Sequence, residues 1–306
     1  MEFTAALQKL GAYQPRSSPK SKEILRASLP LLQSGSIARR KGEAGWDGVE
    51  TLMLAALDEG DVKTASDCLE VLHTKFQDSP RVDVLTGILM EVKESPKVAL
   101  QYYQALLQED SSNAAAWRRK ASVLRQLGEI GEAVQELCAM LDTFYTEVEA
   151  WLELADMYSS CQQYDRALQT LSHALLLAPQ NPLHVLHFAE TAYLVPDIPL
   201  ALKMFLQAVD MTDDDEQDGI TPADTVPTGL ALRSWFGVKL CTLKLTTEPR
   251  ASSSASQTAP PTAAVLQSLD ELVTERLRTA YLETTRESPP TAGPALVEAV
   301  AKIIPA

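Results

Sequence analysis

The sequence predicts an all-α superhelical solenoid, and three observations support this prediction. Small residues recur every 34 positions, large apolar residues follow them in constant phase, and helix-ending residues divide the chain at the same interval. No segment shows a comparable signal for strands. A chain that repeats one helical hairpin forms its core by stacking neighbouring hairpins, so this array of 306 residues needs no central sheet.

Three repeated columns define the hairpins. The central column is alanine, at Ala65, Ala99, Ala133, Ala167 and Ala201. Twelve positions earlier stand Met53, Gly87, Ala121, Ala155 and Ala189, and four positions later stand Leu69, Tyr103, Leu137, Leu171 and Phe205. Small side chains let two helices approach closely, and apolar residues at helical spacing share one buried face. The columns predict five hairpins over residues 46–215.

Turn residues fall where these hairpins need them. Gly60-Asp61, Gly128-Glu129 and Gln162-Gln163 lie at the predicted turn inside a hairpin, and Pro196 marks the same phase of the fifth. Ser79-Pro80, Pro179 and Pro182 lie between hairpins. Proline is tolerated at the first position of a helix, so the boundaries agree with the columns.

The segment from Val148 to Asn181 carries the most complete motif. In order it reads Trp151, Leu154, Ala155, Tyr158, Ala167, Leu171, Ala174 and Pro179. This pattern resembles the tetratricopeptide repeat family, with Ala in place of a Gly and Leu in place of a Phe. The preceding hairpin keeps Trp117, Ala121 and Ala133 but has Tyr145 where the family has its closing proline. The resemblance implies a solenoid that presents its inner surface to a partner.

Both flanks depart from the repeat. Residues 1–45 carry eight basic and three acidic side chains and form a basic helical leader, which either meets a membrane surface or acidic partner or is simply solvated. Residues 216–306 form degenerate capping helices, with an acidic loop that starts at Asp213 and a short last helix over Ala295 to Ile304. The low-complexity insert 247–262 is expected not to bury enough apolar surface to fold.

Composition excludes several classes of protein. The 27 basic and 41 acidic residues give a net charge of -14, which disfavours nucleic acid as a partner. No continuously apolar stretch of membrane-spanning length and no secretory signal is evident, so a cytosolic location is expected. The four scattered cysteines, Cys68, Cys138, Cys161 and Cys241, predict reduced thiols, mostly buried.

No catalytic or cofactor motif is present, so we expect no enzyme activity, no cofactor and no small-molecule substrate. The most metal-like feature is His184 and His187 followed by Glu190, and it lacks the further ligands that zinc requires. Trp117 and Trp151 occupy a packing position of the repeat. Helix packing is therefore favoured over a platform for stacking nucleic-acid bases.

The phase of the repeat places nine residues on the inner surface, which we interpret as a partner-binding groove. They are Arg118, Ser122 and Arg125 in the third hairpin, Glu149, Leu152 and Asp156 in the fourth, and Leu186, Glu190 and Tyr193 in the fifth. The two arginines favour acidic side chains or a helix C-terminus on a partner. The alternative is that Glu149 and Asp156 of the neighbouring hairpin pair with them.

A closer resemblance is carried by the segments VETLMLAALDEGDVKTASDCLEVLHTKF, LLQEDSSNAAAWRRK and EAWLELADMY. Their order is similar to one branch of the tetratricopeptide family, the non-catalytic subunits of a membrane-protein insertase of the endoplasmic reticulum. This likeness implies a peripheral scaffold on the cytosolic face that holds cytosolic segments of membrane-embedded subunits. The insertase would act on tail-anchored and multi-pass membrane proteins. The alternative is a cytosolic adaptor or auxiliary subunit of a soluble enzyme complex, such as an acetyltransferase.

Overall fold

A computed structural model describes residues 21–33, 43–213 and 226–283, and all regular elements in these ranges are helices. The helices are α1 (Ser21–Gln33), α2 (Glu43–Asp58), α3 (Val62–Lys75), α4 (Pro80–Lys93), α5 (Pro96–Glu109), α6 (Ala114–Leu127), α7 (Ile130–Thr143), α8 (Val148–Ser160), α9 (Tyr164–Leu177), α10 (Pro182–Leu194), α11 (Ile198–Asp213), α12 (Gly229–Thr247) and α13 (Ala263–Arg278). The predicted all-α tetratricopeptide fold class is confirmed. Within the ranges described, no helix is both long and apolar enough to cross a membrane.

The helices pair as antiparallel hairpins in two compact units, residues 1–144 and residues 145–306. The first unit contains α1 and the hairpins α2/α3, α4/α5 and α6/α7. The second contains the hairpins α8/α9, α10/α11 and α12/α13. In the last hairpin the connection is longer and includes a single 3-10 turn, Pro249–Ser252.

The residues of the three predicted columns are buried where the helices pack together. All five alanines of the central column are fully buried, as are Met53, Gly87, Ala121, Ala155 and Ala189. The large residues of the third column, Leu69, Tyr103, Leu137, Leu171 and Phe205, are also buried. Burying these side chains is the main force that holds each hairpin together, because isolated helices of 13 to 16 residues are marginal in water.

Three of the turns inside hairpins use the left-handed backbone. Gly60 has φ +77°, Gly128 has φ +83°, and Gln162 has φ +59° at the equivalent place. Glycine adopts this conformation without steric penalty, whereas glutamine does not. Between hairpins, Pro80 and Pro182 are the first residues of α4 and α10, as predicted.

The leader differs from a purely solvated arm over the residues that the structure describes. Ile24 of α1 is buried in the same core as Val49 and Leu52 of α2, and the hydroxyl of Ser21 donates to Asp58 at 3.4 Å. The helix predicted in the leader therefore packs on the first hairpin. Residues 1–20 and 34–42 lie outside the described ranges.

The insert 247–262 corrects an expectation of the sequence. Ala251 is buried in the core of the second unit, and the backbone N–H of Ser256 donates to the carboxylate of Asp197 at 3.0 Å. The segment is thus held by a hydrogen bond to a buried acid together with one buried methyl group, and composition does not reveal this contact. The acidic run beyond Asp213 and the predicted helix Ala295 to Ile304 fall outside the described residues.

Candidate partner-binding surface

Arg118, Ser122 and Arg125 lie on one helix, α6, at the predicted spacing. Arg118 and Ser122 are half-buried, and Arg125 is exposed. The side chain of Asn113 accepts from the N–H of Ala116 at 3.1 Å and caps the helix start, while Gly128 ends the helix in the left-handed conformation. Both ends of α6 are therefore fixed, and the basic face has a defined orientation within the first unit.

Two further cations of α6 have structural roles. Arg119 Nη1 lies 3.6 Å from Glu91 Oε2 on α4, and Lys120 Nζ lies 2.7 Å from Glu136 Oε1 on α7. The three consecutive cations of α6 thus point in different directions. The repeat phase singles out only Arg118 of these three, because the contacts of Arg119 and Lys120 depend on residues of other helices.

Glu91 belongs to a buried polar network at the α4–α6 contact. Burial raises the pKa of its carboxyl, and the cation of Arg119 and the hydroxyl of Tyr103 oppose this rise. The Tyr103 hydroxyl donates to Glu91 Oε1 at 2.7 Å, and burial raises the pKa of the phenol as well. The network fixes α4 and α6 side by side.

In the second unit, three of the predicted groove residues contact a neighbouring hairpin. His187 Nε2 lies 3.6 Å from Asp156 Oδ1, which links α8 and α10. Both carboxylate oxygens of Glu190 accept from the guanidinium of Arg233 on α12, at 2.5 and 2.7 Å. The ammonium of Lys244 lies 4.8 Å from the ring centre of Tyr193.

Several of these contacts run in the same direction along the chain. The acid lies on the earlier helix and the cation on the later one for Glu91 with Arg119 and for Glu190 with Arg233, and His187 likewise follows Asp156. Arg81 on α4 follows the same rule with Asp47 and Glu50 on α2. Asp156, Glu190 and Tyr193 therefore join hairpins to one another, which the repeat phase alone does not indicate.

The assignment of Leu186 to the groove is wrong. Leu186 is 1% exposed and belongs to the core of the second unit, because α10 packs against both α11 and α12. Leu152 is half-buried against Ala155 and Phe188, so it contributes mainly to packing. Glu149 is exposed on α8.

The tryptophans pack, as predicted. The indole N–H of Trp117 donates to the carbonyl of Ser111 at 3.0 Å, and that of Trp151 donates to the carbonyl of Tyr145 at 2.9 Å, one repeat later. The Trp151 ring also stacks on His173 with centres 4.6 Å apart. Each indole thus binds, by a hydrogen bond, the segment of chain that precedes its own helix.

The histidines and cysteines differ in burial and belong to no cluster of three potential metal ligands in the part of the chain that the structure describes. Burial lowers the pKa of His184, whose Nε2 lies 3.2 Å from the amide nitrogen of Asn181, and no group of three potential metal ligands occurs there. Burial raises the pKa of the Cys68 and Cys241 thiols to about 12. Cys138 is half-buried and Cys161 is exposed, so burial is less general than predicted.

A cavity of about 380 Å³ between the first two hairpins was not foreseen. Trp46 and Phe76 form one wall, with their rings edge to face at 5.2 Å. Arg81 and Glu50 also line the cavity, and Arg81 Nε lies 2.7 Å from Glu50 Oε2. Because Phe76 follows α3 and Trp46 lies on α2, the pair is recognisable only once the hairpin register is known.

Comparison with known proteins assigns the chain to a family. A family model described as the EMC2 TPR-like repeat domain matches residues 69–206. ER membrane protein complex subunit 2 of Xenopus tropicalis is 32% identical over 219 residues, which is 71% of this chain and 68% of the Xenopus protein. The chain belongs to the family of ER membrane protein complex subunit 2.

Other relatives agree with this assignment. TPR repeat protein oca3 of Schizosaccharomyces pombe is 31% identical over 65% of this chain and 67% of its own length. The subunit 2 of Dictyostelium discoideum is 33% identical over 45% of this chain and 44% of its own length. A crystal structure of the C-terminal part of a TPR repeat-containing protein from Cytophaga hutchinsonii superposes with a TM-score of 0.53 over 90% of this chain and 93% of that one, at 12% identity. That last likeness concerns the fold alone.

The ER membrane protein complex subunit 2 likeness covers the whole predicted groove. Residues 69–206 include all nine residues from Arg118 to Tyr193. Three features lie beyond the matched range: Arg233, Lys244 and the Ser-rich segment, residues 252–256, which contacts Asp197 through Ser256. The residues that contact α10 and the α10–α11 turn from the last hairpin therefore lie outside the range that the family model matches.

Proposed function

We propose that this chain is a non-catalytic scaffold subunit of the ER membrane protein complex, on the cytosolic side of the membrane. The observation that carries the proposal is its 32% identity over 219 residues to proteins named as subunit 2 of that complex. Stacked helical hairpins and the lack of a cluster of metal ligands in the described ranges support a binding role rather than a catalytic one.

The complex would act as an insertase for tail-anchored and multi-pass membrane proteins, and this subunit would hold cytosolic segments of its membrane-embedded members. Its association with the membrane would be peripheral and would depend on those partners. No described helix is suited to span the bilayer, which is consistent with a peripheral attachment.

We further assign partner contact to the basic face of α6. Arg125 is exposed, and Arg118 and Ser122 lie on the same side of a helix whose ends are fixed. In a protein of net charge -14 such a face selects acidic side chains or the carbonyl end of a helix. Asp156, Glu190 and Tyr193 keep the hairpins of the second unit in register and act on partners only through that positioning.

The test is co-purification of the tagged full-length protein from detergent-solubilised membranes, with the double variant Arg118→Glu and Arg125→Glu. We expect at least a tenfold loss of multi-spanning partners, since truncating a desolvated charge pair at an interface costs about 2–5 kcal/mol. The matched control reverses Lys63 and Lys75 on α3 and should bind normally. Equal recovery by both double variants contradicts the assignment of α6.

A single change separates folding from binding. Arg125→Glu alone alters an exposed side chain and should leave the fold intact. We expect it to retain the melting temperature of the wild type and to lose part of the partner recovery. Loss of partners only in variants that also melt early would assign the effect to folding and overturn the contact.

A further inference from the structure

The buried carboxylate of Asp197 joins the Ser-rich segment to the fifth hairpin by a hydrogen bond. Asp197 lies in the turn between α10 and α11 and is 3% exposed. Its Oδ1 accepts from the N–H of Leu200 at 3.3 Å, and its Oδ2 accepts from the N–H of Ser256 at 3.0 Å. Asp197 and Ser256 are 59 positions apart in the chain, so this bond fixes the path of the whole α12–α13 connection.

The fastened segment forms one side of a cavity. The cavity measures about 570 Å³ and is lined by the α10–α11 turn, by Lys244 of α12 and by residues from Glu248 to Ala255. Beside it, Ala251 contributes its methyl group to the core of the second unit. Releasing the segment would open this cavity and expose apolar groups at the turn.

The hydroxyls at the fastening point form a short hydrogen-bonded series. Ser256 Oγ lies 2.9 Å from Ser254 Oγ and 2.8 Å from Thr258 Oγ1. Burial would raise the pKa of Asp197, but hydrogen bonds from the Ser256 amide and from the Ser254 and Ser256 hydroxyls lower it overall. The Ser256 hydroxyl thus sits beside an ionised carboxylate, and Ser256 is exposed while Ser254 is half-buried.

We propose that Ser256 is a phosphorylation site and that its modification detaches the Ser-rich segment from Asp197. A protein kinase would transfer the γ-phosphoryl group of ATP to Ser256 Oγ, releasing ADP and passing the serine proton to a base of the kinase. The product carries close to two negative charges next to the buried carboxylate. The phosphate and the Asp197 carboxylate carry like charges, which repel strongly in a partly buried site. The hydrogen bond from the Ser256 amide to Asp197 is then broken.

Two cations, Lys244 and Arg250, line the same cavity as Asp197. Lys244 lies over the ring of Tyr193 and Arg250 is exposed on the 3-10 turn, so we expect them to offset only part of the repulsion. The proposal is independent of the assigned complex, because it concerns only contacts within this chain.

The experiment places phosphoserine at position 256 of the full chain by genetic code expansion and follows cleavage by trypsin after Arg250. We expect that cleavage to accelerate at least tenfold and the amide of Ser256 to lose its protection from hydrogen exchange, with cleavage after Arg233 in α12 unchanged. Phosphoserine at the exposed position 253, which adds the same charge without contact to Asp197, should have little effect. Equal cleavage in all three proteins overturns the proposal.

A second change tests the cause. If repulsion by the carboxylate drives release, phosphorylation should cost at most half as much protection in Asp197→Asn as in the Asp197 protein, each compared with its own unphosphorylated form. An equal loss in both would contradict the electrostatic mechanism. Peptide mass spectrometry of the protein purified from its own cells with phosphatase inhibitors should find phosphate on Ser256. Its absence there, with phosphate on other serines, would refute the site.

Discussion

Gly87 lies directly under the ring of Tyr103. A β-carbon at position 87 would fall 2.5 Å from Cε1 of that ring, closer than two carbons can approach without displacement. The equivalent pair one hairpin later is Ala121 and Leu137, and the next is Ala155 and Leu171. In the second hairpin the larger side chain, Tyr103, therefore fits because position 87 is glycine instead of alanine. The two positions are coupled.

We predict that Gly87→Ala lowers the free energy of unfolding by about 1–3 kcal/mol, because the added methyl overpacks the α4–α5 contact. The control is Gly131→Ala on α7, where an added β-carbon meets nothing within 4 Å and alanine should be neutral or stabilising. Urea unfolding measures both. Similar behaviour of the two variants would show that the helix contact is not as close as described.

The turn at Gln162 should be improvable. Because its backbone is left-handed at φ +59°, Gln162→Gly is expected to stabilise the second unit by about 0.5–1 kcal/mol. The reverse change at the equivalent site of the first unit, Gly128→Gln, should destabilise by a similar amount. Thermal melting of the pair gives the answer, and shifts of the same sign would contradict the turn geometry.

The network of Glu91 and Tyr103 predicts a pH-dependent effect. Burial raises the pKa of Glu91, so the ionised carboxylate lowers stability as the pH rises through that raised pKa. The Tyr103 hydroxyl compensates by donating to the charged form. Tyr103→Phe should therefore cost about 1–3 kcal/mol at pH 8 and less at pH 5, where more of Glu91 is protonated. Urea titrations that give the same loss at both pH values would exclude this role.

The buried ammonium of Lys239 predicts an asymmetry. Lys239 Nζ donates to Asp270 Oδ1 at 2.7 Å and to Thr274 at 2.9 Å, and its side chain is 3% exposed against 38% for Asp270. Asp270→Ala should cost about 3–5 kcal/mol because it leaves a buried charge without its counterion, whereas Lys239→Met leaves an acid that water still reaches. An equal or larger loss for Lys239→Met, measured by chemical unfolding, would argue against burial of the lysine.

Much of the fold is predictable from the sequence because its contacts repeat. An alanine at the position of Ala167 and a large apolar residue at that of Leu171 recur in the first five hairpins, so their burial follows from the phase. Leu186 was misassigned because its burial depends on α12, which the repeat interval does not place. The bond between Asp197 and Ser256 joins unique residues without periodicity, so no pattern announces it.

The candidate surface was predicted less well for a related reason. Repeat phase indicates which residues share a face, but it does not indicate which of them pair across hairpins. Glu190 pairs with Arg233 of a helix that follows an irregular connection. Arg125 has no such dependence, since its exposure follows from its place on α6 alone.

We propose that this chain serves as a subunit of a membrane complex of the endoplasmic reticulum. The most direct test is mass spectrometry of proteins that co-purify with the tagged wild-type chain from detergent-solubilised membranes of its own cells. We predict a reproducible set of multi-spanning membrane proteins in near-stoichiometric amounts. Recovery of a soluble catalytic partner, such as an acetyltransferase, without those membrane proteins would show that the chain is not a subunit of such a membrane complex.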